Sequence, residues 1–280
     1  MSSVLSSFRQ IRHGAVGRRM PFVWAVVRPI WRVAARVATS GQGFHHLING
    51  VDTFRLSLEQ MHNGNPLEWE PDQYLEVMAE IKPGNHVLDI GAFWGLFTLG
   101  AAKRVGKSGR VVAIEPGPRQ FRMLETNVRI NKFEPTVSCI EEICAETAGT
   151  LIDFYADPEG SMVDSAVPND KATIALSRTT TTIDDIVSHF KLTPNVIKID
   201  VEGFEDLVLA GASKTLISYR PVLFVEFHPE ELASRGQSTD TVLSLLDGYG
   251  YECPELTDAS LNSVPRGHLF RFTSAKKLAA

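Results

Sequence analysis

The chain alternates short apolar runs with longer segments whose apolar residues recur at helical spacing. The apolar runs predict strands at His86–Ile90, Arg110–Ile114, Val137–Ile140, Val196–Ile199, Pro221–Phe227, Tyr249–Cys253 and His268–Phe272. The helical spacing predicts helices at Asp72–Ile81, Leu96–Arg104, Arg119–Asn131, Glu205–Ile217 and Thr239–Gly248. Strands that alternate with helices in this way indicate an α/β fold, with a mostly parallel sheet covered by helices on both faces.

One stretch, from about residue 150 to 185, breaks this alternation. Leu151–Tyr155 and Thr179–Ile183 are rich in β-formers and flank a loop of Gly, Ser, Asp and Pro residues. We interpret this stretch as a β-rich insertion at the strand ends, where open α/β sheets carry their substrate-facing loops. We assign residues 51–280 to one globular domain and residues 1–50 to a separate basic leader.

The charge is distributed unevenly between these two parts. Residues 1–51 contain seven arginines, no lysine and no acid, so the net charge of −5 leaves −5 − 7 = −12 for residues 52–280. An acidic body does not suggest a nucleic-acid partner, because binding to a phosphate backbone needs clustered basic charge. The three cysteines lack metal-ligand spacing, which favours a reduced intracellular compartment.

The leader contains an arginine-rich amphipathic segment at residues 20–38. Arg28, Arg32 and Arg36 share one face of a helix, and Trp24 and Trp31 lie among the remaining residues. The uncharged run at residues 20–27 is shorter than the roughly 18 residues that span a bilayer. Three interpretations compete: peripheral contact with an anionic membrane, a targeting peptide, and a helix packed on the domain or poorly ordered.

A glycine turn follows the first central strand. Gly91 and Gly95 allow the backbone to approach a ligand closely, and the helix that follows offers N–H groups to a carboxylate. The G-x-G-x-x-G and G-x-x-x-x-G-K-[ST] fingerprints are absent from the sequence, which disfavours a dinucleotide or a triphosphate. Asp89, just before the turn, can accept a hydrogen bond from an ammonium. S-adenosylmethionine (SAM) carries both an ammonium and a carboxylate, and we predict it as the cofactor.

A second acid, Glu115, ends the next strand about 20 residues after the turn, where a carboxylate can bind both ribose hydroxyls. Adenine would then lie near Pro116, with Glu141 or Glu142 at its amino group. The candidate cofactor contacts are Glu70, Asp89, Gly91, Ala92, Phe93, Gly95, Thr98, Glu115, Pro116 and Glu142.

Five motifs occur in a characteristic order from about residue 70 to residue 228: DIGAFWG (89–95), AIEP (113–116), TTTTIDDI (179–186), IKIDVEGFEDLVLAGA (197–212) and VEFHPE (225–230). In this order the sequence resembles the FkbM family of SAM-dependent methyltransferases. The resemblance implies a Rossmann-like seven-stranded sheet of order 3-2-1-4-5-7-6 with the last strand antiparallel. It also implies O-methylation of a hydroxyl on a sugar, glycolipid or polyketide-type acceptor. The family pattern usually has Asn at the position of Phe93 and a smaller residue than Trp94.

The transfer site is expected where the fourth and fifth central strands end, at Lys198–Gly203 and Val225–His228. Transfer to a hydroxyl needs a base near the methyl group. We predict His228 as the general base, because its ordinary pKa suits proton removal near neutrality. Asp200 would orient the acceptor or the cofactor amine, and Glu226 would support or replace His228. Alternatively, His228 is a loop or capping residue, and Asp200 caps the next helix.

Asp200, Glu226 and His228 also offer ligand types suited to a divalent ion such as Mg²⁺, although their spacing does not demand one. The competing functions are a silent SAM-fold binding module, an N-methyltransferase and, disfavoured by the missing glycine, a Rossmann oxidoreductase. SAM is a cytosolic cofactor, so we expect a cytoplasmic protein, with residues 20–38 as a candidate membrane contact. The sequence does not predict an oligomeric state.

Overall fold

The computed structural model describes residues 39, 41–59, 71–156, 163–165, 174–256 and 268–275. Its strands are β1 (Phe44–Ile48), β2 (Asp52–Leu56), β3 (His86–Ile90), β4 (Arg110–Ile114), β5 (Val137–Ile140), β6 (Ile143–Cys144), β7 (Leu151–Ala156), β8 (Val163–Ser165), β9 (Ile174–Thr181), β10 (Pro194–Ile199), β11 (Val222–Glu226), β12 (Tyr251–Glu252) and β13 (Leu269–Ser274). Its α-helices are α1 (Pro71–Glu80), α2 (Leu96–Val105), α3 (Pro118–Ile130), α4 (Ile183–Phe190), α5 (Glu205–Ala210), α6 (Ser213–Tyr219), α7 (Pro229–Ser234) and α8 (Thr239–Gly248).

A seven-stranded sheet forms the centre of the domain, in the order β12-β13-β11-β10-β3-β4-β5. Counted along the chain from β3 and read from β5, this order is 3-2-1-4-5-7-6, as predicted. Strands β3, β4, β5, β10 and β11 pair in parallel, whereas β13 pairs antiparallel with β11. From β3 the chain adds β4 and β5 toward one edge of the sheet, and it then returns to add β10 on the other side of β3. Open α/β sheets bind ligands at the point where the strand order reverses in this way.

Helices cover both faces of the sheet because its parallel strands are apolar on both sides. On β3, for example, Val87 belongs to one buried cluster and Leu88 to the other, as the two-residue period of a strand requires. The first cluster includes Leu99 of α2 and Leu124 of α3, and the second includes Leu246 of α8. These two cores fix the sheet rigidly, so that its carboxyl edge can position side chains for chemistry.

One predicted helix and one predicted strand end are corrected by the structure. The helix predicted over residues 205–217 is split into α5 and α6, because the N–H groups of Lys214 and Thr215, at the start of α6, donate to the Asp184 carboxylate instead of continuing the hydrogen bonds of α5. Ile183, predicted at the end of a strand, begins α4 instead. The Thr182 side chain accepts a hydrogen bond from the Asp185 N–H and caps this helix.

An antiparallel hairpin, β1–β2, was not predicted and crosses the boundary placed at residue 50. Its turn contains Asn49 and Gly50, both with positive φ, which is the residue pair that favours tight hairpins. Ile48 and Phe54 belong to the first buried cluster. The hairpin also accepts and donates hydrogen bonds at Asn131 of α3. Part of the segment assigned to the leader therefore packs on the domain.

The β-rich insertion forms a separate four-stranded sheet of order β6-β9-β7-β8. Strands β7 and β9 correspond to the two pieces predicted as β-rich, and they pair antiparallel over six residues. Among the residues that the structure describes, no helix is long and apolar enough to cross a membrane. The arginine-rich segment at residues 20–38 lies outside the described residues.

Candidate active site

The carboxyl ends of β3, β10 and β11 meet at one edge of the sheet. The register pairs Asp89 of β3 with Lys198 of β10, and Ile199 of β10 with Val225 of β11. Parallel strands in register bring the residues that follow them together. The fold thus gathers the acids predicted for the cofactor and for methyl transfer on neighbouring strands.

The glycine turn after β3 is built for close backbone approach. Gly91 has φ +78°, and a Cβ added to it would lie 1.7 Å from the carbonyl oxygen of Asp200. The N–H groups of Gly91 and Ala92 both donate to the carbonyl of Ile114, at 3.0 and 2.9 Å. Gly95, with φ +95°, begins α2. Any side chain at Gly91 would push apart the two strands that frame the site.

The two bulky residues of the turn both pack with the first core cluster, Trp94 as a buried member and Phe93 partly buried against it. Trp94 is buried in the first core cluster, and its carbonyl accepts a hydrogen bond from the Asn127 side chain at 2.9 Å. Phe93 has φ +51°, a conformation costly for residues with a Cβ, and its N–H donates to Glu115 Oε2 at 2.8 Å. The backbone contact expected of this turn is therefore kept although Asn is absent.

Asp89 is buried and retains an unsatisfied oxygen. Thr98 donates from Oγ1 to Asp89 Oδ2 at 2.5 Å. Asp89 Oδ1 has no hydrogen-bond partner among the described residues, and Lys198 Nζ faces it at 3.6 Å. A buried carboxylate oxygen in this state fits an incoming ammonium donor, such as that of SAM. Thr98, predicted as a cofactor contact, donates its hydroxyl proton to Asp89, and its contact with the cofactor remains a prediction.

Glu115 lies buried at the end of β4 and uses both of its oxygens. Oε2 accepts from the Phe93 N–H and Oε1 from the Gly117 N–H, each at 2.8 Å. Burial raises the pKa of this carboxyl to about 7, although the two backbone hydrogen bonds act in the opposite direction. Hydroxyl donors from a ribose would add to this set and favour the ionised form.

The adenine side of the site is less closely defined. Pro116 and Glu142 are half-buried next to the ends of β4 and β5. Arg178 Nη2 of β9 donates to Glu141 Oε1 at 2.5 Å, which engages that carboxylate with the insertion. Of the two candidates, Glu142 remains the predicted partner for the adenine amino group. Glu70, also predicted as a cofactor contact, lies outside the described residues.

His228 is the centre of the transfer site, with a side chain only 1% exposed. Its Nδ1 lies 2.7 Å from Glu205 Oε1. Its Nε2 lies 3.3 Å from Glu226 Oε1, 3.5 Å from Glu202 Oε2 and 3.8 Å from Asp200 Oδ1. The structure therefore brings together all three residues predicted for transfer and adds Glu202 and Glu205 to them.

This geometry sets the charge of His228. A neutral imidazole donates from one nitrogen only, and here both nitrogens face carboxylates, which favours the doubly donating imidazolium. Burial lowers the pKa, but the hydrogen bonds to Glu205 and Glu226 outweigh it and raise the pKa of His228 to about 11. An imidazolium cannot accept a proton. This is a physical difficulty for the predicted role of general base, which itself remains a prediction.

Neither capping alternative describes the side chains. Phe204, not Asp200, is the N-cap of α5. His228 is the N-cap residue of α7 by its backbone position, as the capping alternative predicted, but its side chain makes no capping hydrogen bond and lies in the acidic cluster. Both residues are thus available to the site.

Lys198 is a further residue of this site, besides Glu202 and Glu205, that the sequence analysis did not single out. Its side chain is 4% exposed, and Nζ donates to Asp200 Oδ2 at 3.0 Å and to the Gly91 carbonyl at 3.2 Å. Burial disfavours its charge, but Asp200 and Asp89 together raise the pKa of this ammonium above its usual value. A lysine inside the apolar strand Val196–Ile199 was the available signal, because such a residue is buried only with partners.

The sheet order, the glycine turn and the two acids that flank it are typical of the Rossmann-like fold of SAM-dependent methyltransferases. The chain matches the profile described as "Methyltransferase FkbM domain" over residues 76–253, more than half of its length. It belongs to the FkbM family of methyltransferases. Among curated proteins, none matches the sequence.

Several solved structures are similar to the chain. Methyltransferase FkbM from Methylobacillus flagellatus KT is 20% identical, with 72% of this chain and 51% of that chain covered and a TM-score of 0.44. The SAM-dependent O-methyltransferase from Thermotoga maritima is 12% identical, covering 79% and 72%, with a TM-score of 0.44. The O-methyltransferase from Bacillus cereus, in complex with SAH, is 14% identical, covering 72% and 76%, with a TM-score of 0.39. The chain spans about half the length of the M. flagellatus protein.

Proposed function

We propose that the chain transfers the methyl group of SAM to a hydroxyl of a sugar, glycolipid or polyketide-type acceptor. One observation supports a hydroxyl as the acceptor group. The carboxylates around His228 lie beside the glycine turn, at the ends of the neighbouring strands β10 and β11. A hydroxyl is a weak nucleophile and needs a nearby base as the bond to carbon forms. Family membership supplies the methyltransferase activity but not the acceptor.

The residues that would hold SAM follow from the unsatisfied groups of the site. Asp89 Oδ1 would accept from the cofactor ammonium, and the carboxylate of Glu115 would accept from the ribose hydroxyls. Pro116 and Glu142 would border the adenine. Bound SAM supplies a methyl group on a positively charged sulfur. The protein's own contribution is to align the acceptor, remove its proton and exclude water.

On the acceptor side, the carboxylates differ in access. The Asp200 side chain is 28% exposed and would hold the incoming hydroxyl by a hydrogen bond. Glu226 is nearly buried, with Oε1 3.3 Å from His228 Nε2, and would take the hydroxyl proton. Because His228 already donates toward carboxylates from both nitrogens, it would position Glu226 instead of acting as the base. Glu226 thus takes the role for which the sequence favoured His228.

The same charges argue against an amine acceptor. Carboxylates within a few ångströms stabilise an ammonium, so an amine bound here would keep its proton and lack the lone pair that attacks carbon. A hydroxyl has no such protonated form near neutrality. A catalytically silent binding module is the other alternative, and it would bind SAM without transferring the methyl group to any acceptor.

A divalent cation is a rival arrangement for the transfer site. Ligand atoms of Asp200, Glu226 and His228 lie within 4.8 Å of one another, and such a set could bind Mg²⁺. In that arrangement the Nε2 lone pair of His228 would face the metal instead of an N–H facing Glu226. We propose transfer without a metal. Loss of turnover in EDTA, with recovery on adding Mg²⁺, would contradict this part of the proposal.

The acceptor is tested with SAM labelled in its methyl group and a panel of hydroxylated glycans, glycolipids and polyketides. We expect labelled product with the wild type, and a loss of about 100-fold or more in Glu226→Gln, as is typical when a general base is removed. Glu230→Gln is the matched control, because Glu230 is an exposed carboxylate on the adjoining helix α7. Equal turnover in Glu226→Gln and Glu230→Gln would remove Glu226 from the mechanism.

We also propose that residues 20–38 hold the enzyme at an anionic membrane surface, since arginines and tryptophans suit such a surface. The support is the sequence pattern alone. Sedimentation with anionic and with neutral vesicles tests it: binding only to the anionic vesicles, weakened by salt, is expected. Equal binding to both kinds of vesicle, or none, would contradict it.

A further inference from the structure

Side chains of alternating charge form a line across the ends of β3, β10 and β11, from the glycine turn to the transfer site. Asp89 Oδ1 and Lys198 Nζ are 3.6 Å apart, and Lys198 Nζ and Asp200 Oδ2 are 3.0 Å apart. Asp200 Oδ1 lies 3.8 Å from His228 Nε2, and His228 Nδ1 lies 2.7 Å from Glu205 Oε1. The function proposed above assigns roles to Asp89, Asp200 and His228 but none to Lys198, which lies between Asp89 and Asp200.

The ammonium of Lys198 faces three acceptors that belong to two different strand ends. Asp200 follows β10, whereas Asp89 and the Gly91 carbonyl belong to β3 and its turn. The ammonium donates to Asp200 and to the Gly91 carbonyl, and it pairs by charge with Asp89 at 3.6 Å, which leaves Asp89 Oδ1 without a hydrogen bond. The ring of Phe97, 5.1 Å from Nζ, closes the site over it. Lys198 is thus held between the two strands, away from water.

Neutralisation of Asp200 alone does not account for this placement. A lysine that served only Asp200 would have no need of the Gly91 carbonyl, which lies in the turn predicted to hold SAM. That turn is also the place of closest approach between the two strands, since a Cβ on Gly91 would lie 1.7 Å from the Asp200 carbonyl oxygen. A small movement of the glycine turn relative to Asp200 therefore changes the cofactor site and the transfer site together.

We propose that Lys198 is a positioning residue that holds the glycine turn and the Asp200 carboxylate in one arrangement. It fixes the Gly91 carbonyl and Asp89 for the methionine part of SAM, and it directs Asp200 toward His228. This inference rests on the proposed function for the role of Asp200 in transfer. Its claim about cofactor binding does not depend on any acceptor.

Four proteins test the inference: the wild type, Lys198→Met, Asp200→Asn and the double variant Lys198→Met/Asp200→Asn. Lys198→Met leaves buried Asp89 and partly buried Asp200 without their cation, so it is expected to lose stability. The double variant removes both members of the Lys198–Asp200 pair and should regain much of that stability. Unfolding by urea establishes which variants are folded before any binding is measured.

The decisive quantity is the affinity for SAM and for its demethylated product SAH, measured by titration calorimetry. The double variant is compared with Asp200→Asn, which keeps Lys198 and its contact with Gly91. We expect SAM and SAH to bind at least about tenfold more weakly to the double variant, a difference of about 1.4 kcal/mol. A lysine that only neutralised Asp200 would produce no such difference.

Equal affinities in Asp200→Asn and the double variant, with both folded, would overturn the inference. Failure of the proposed function has another signature: no hydroxylated acceptor is methylated by the wild type, while the contrast in SAM affinity persists. Where an acceptor is found, Lys198→Met should lower kcat and raise the KM for SAM together. Asp200→Asn should lower mainly kcat.

Discussion

The buried carboxyl of Glu115 links folding, pH and cofactor binding in one measurable prediction. Its pKa is raised to about 7 by burial, from an ordinary value of 4.5. The folded protein therefore keeps this proton where the unfolded chain has lost it. The stabilisation is fully present below about pH 4.5 and is lost as the pH rises through about 7.

The size of the effect follows from the two pKa values. A shift from 4.5 to about 7 corresponds to about 3 kcal/mol in total, and about 2 kcal/mol of it is lost between about pH 5.5 and about pH 8.5. Glu115→Gln removes the titrating group. It also leaves the N–H of either Phe93 or Gly117 without an acceptor, which costs about 1–3 kcal/mol at every pH.

The assay is urea unfolding of the wild type and Glu115→Gln across this pH range. We expect the variant to be less stable at low pH and the difference between the two proteins to shrink by about 2 kcal/mol as the pH rises. Parallel pH dependences would refute the argument. Glu125→Gln, on the outer side of α3, is the control and should follow the wild type.

Cofactor binding provides a second test of the protonation of Glu115. Ribose hydroxyls that donate to Glu115 favour its ionised form, so SAM binding near pH 7 should release up to about half a proton. Calorimetry in two buffers with different ionisation enthalpies measures this release. Wild type without proton release, or Glu115→Gln with undiminished release, would show that the ribose does not contact this carboxylate.

Further predictions concern the cofactor turn and a helix end. Asp89→Asn should abolish SAM binding and keep the unfolding free energy within about 1 kcal/mol, whereas SAM affinity like that of the wild type would remove Asp89 from the site. Gly91→Ala should cost about 2 kcal/mol more than Gly149→Ala in urea unfolding, because both have φ near +79° but only Gly91 faces a backbone oxygen at 1.7 Å. Equal costs would contradict the close approach. Lys191→Gly should stabilise the protein by about 1 kcal/mol, since exposed Lys191 ends α4 with φ +52°, and Lys191→Ala should give no gain.

The central sheet was predictable from sequence because its strands are buried on both faces. Such strands appear as continuous apolar runs separated by helical segments, and β3, β4 and β5 have the predicted bounds. The hairpin β1–β2 gives no such signal. Its Asp52 is buried by partners far along the chain: Tyr74 donates to it at 2.7 Å, and Lys103 and Arg104 form ion pairs with it.

The residues of the candidate site likewise differ in how far the sequence alone can indicate them. Asp89 and Glu115 could be singled out from the sequence because each lies at the end of an apolar strand near the glycine turn, and their cofactor contacts remain predictions. The role of Lys198 depends on Asp89 and Gly91, more than 100 residues earlier, and the charge of His228 depends on Glu205 on another element. Contacts of this kind are set by strand register and packing, which the local pattern does not contain.

The proposed reaction is transfer of the methyl group of SAM to an oxygen at this site. The most direct measurement uses SAM with a ¹³C-labelled methyl group and an acceptor found with the panel of hydroxylated compounds. The product is examined by carbon NMR. We predict a methyl carbon bonded to oxygen in the wild-type product and none with Glu226→Gln. A methyl carbon bonded to nitrogen, or bound SAM that is never demethylated with any acceptor of the panel, would contradict the claim.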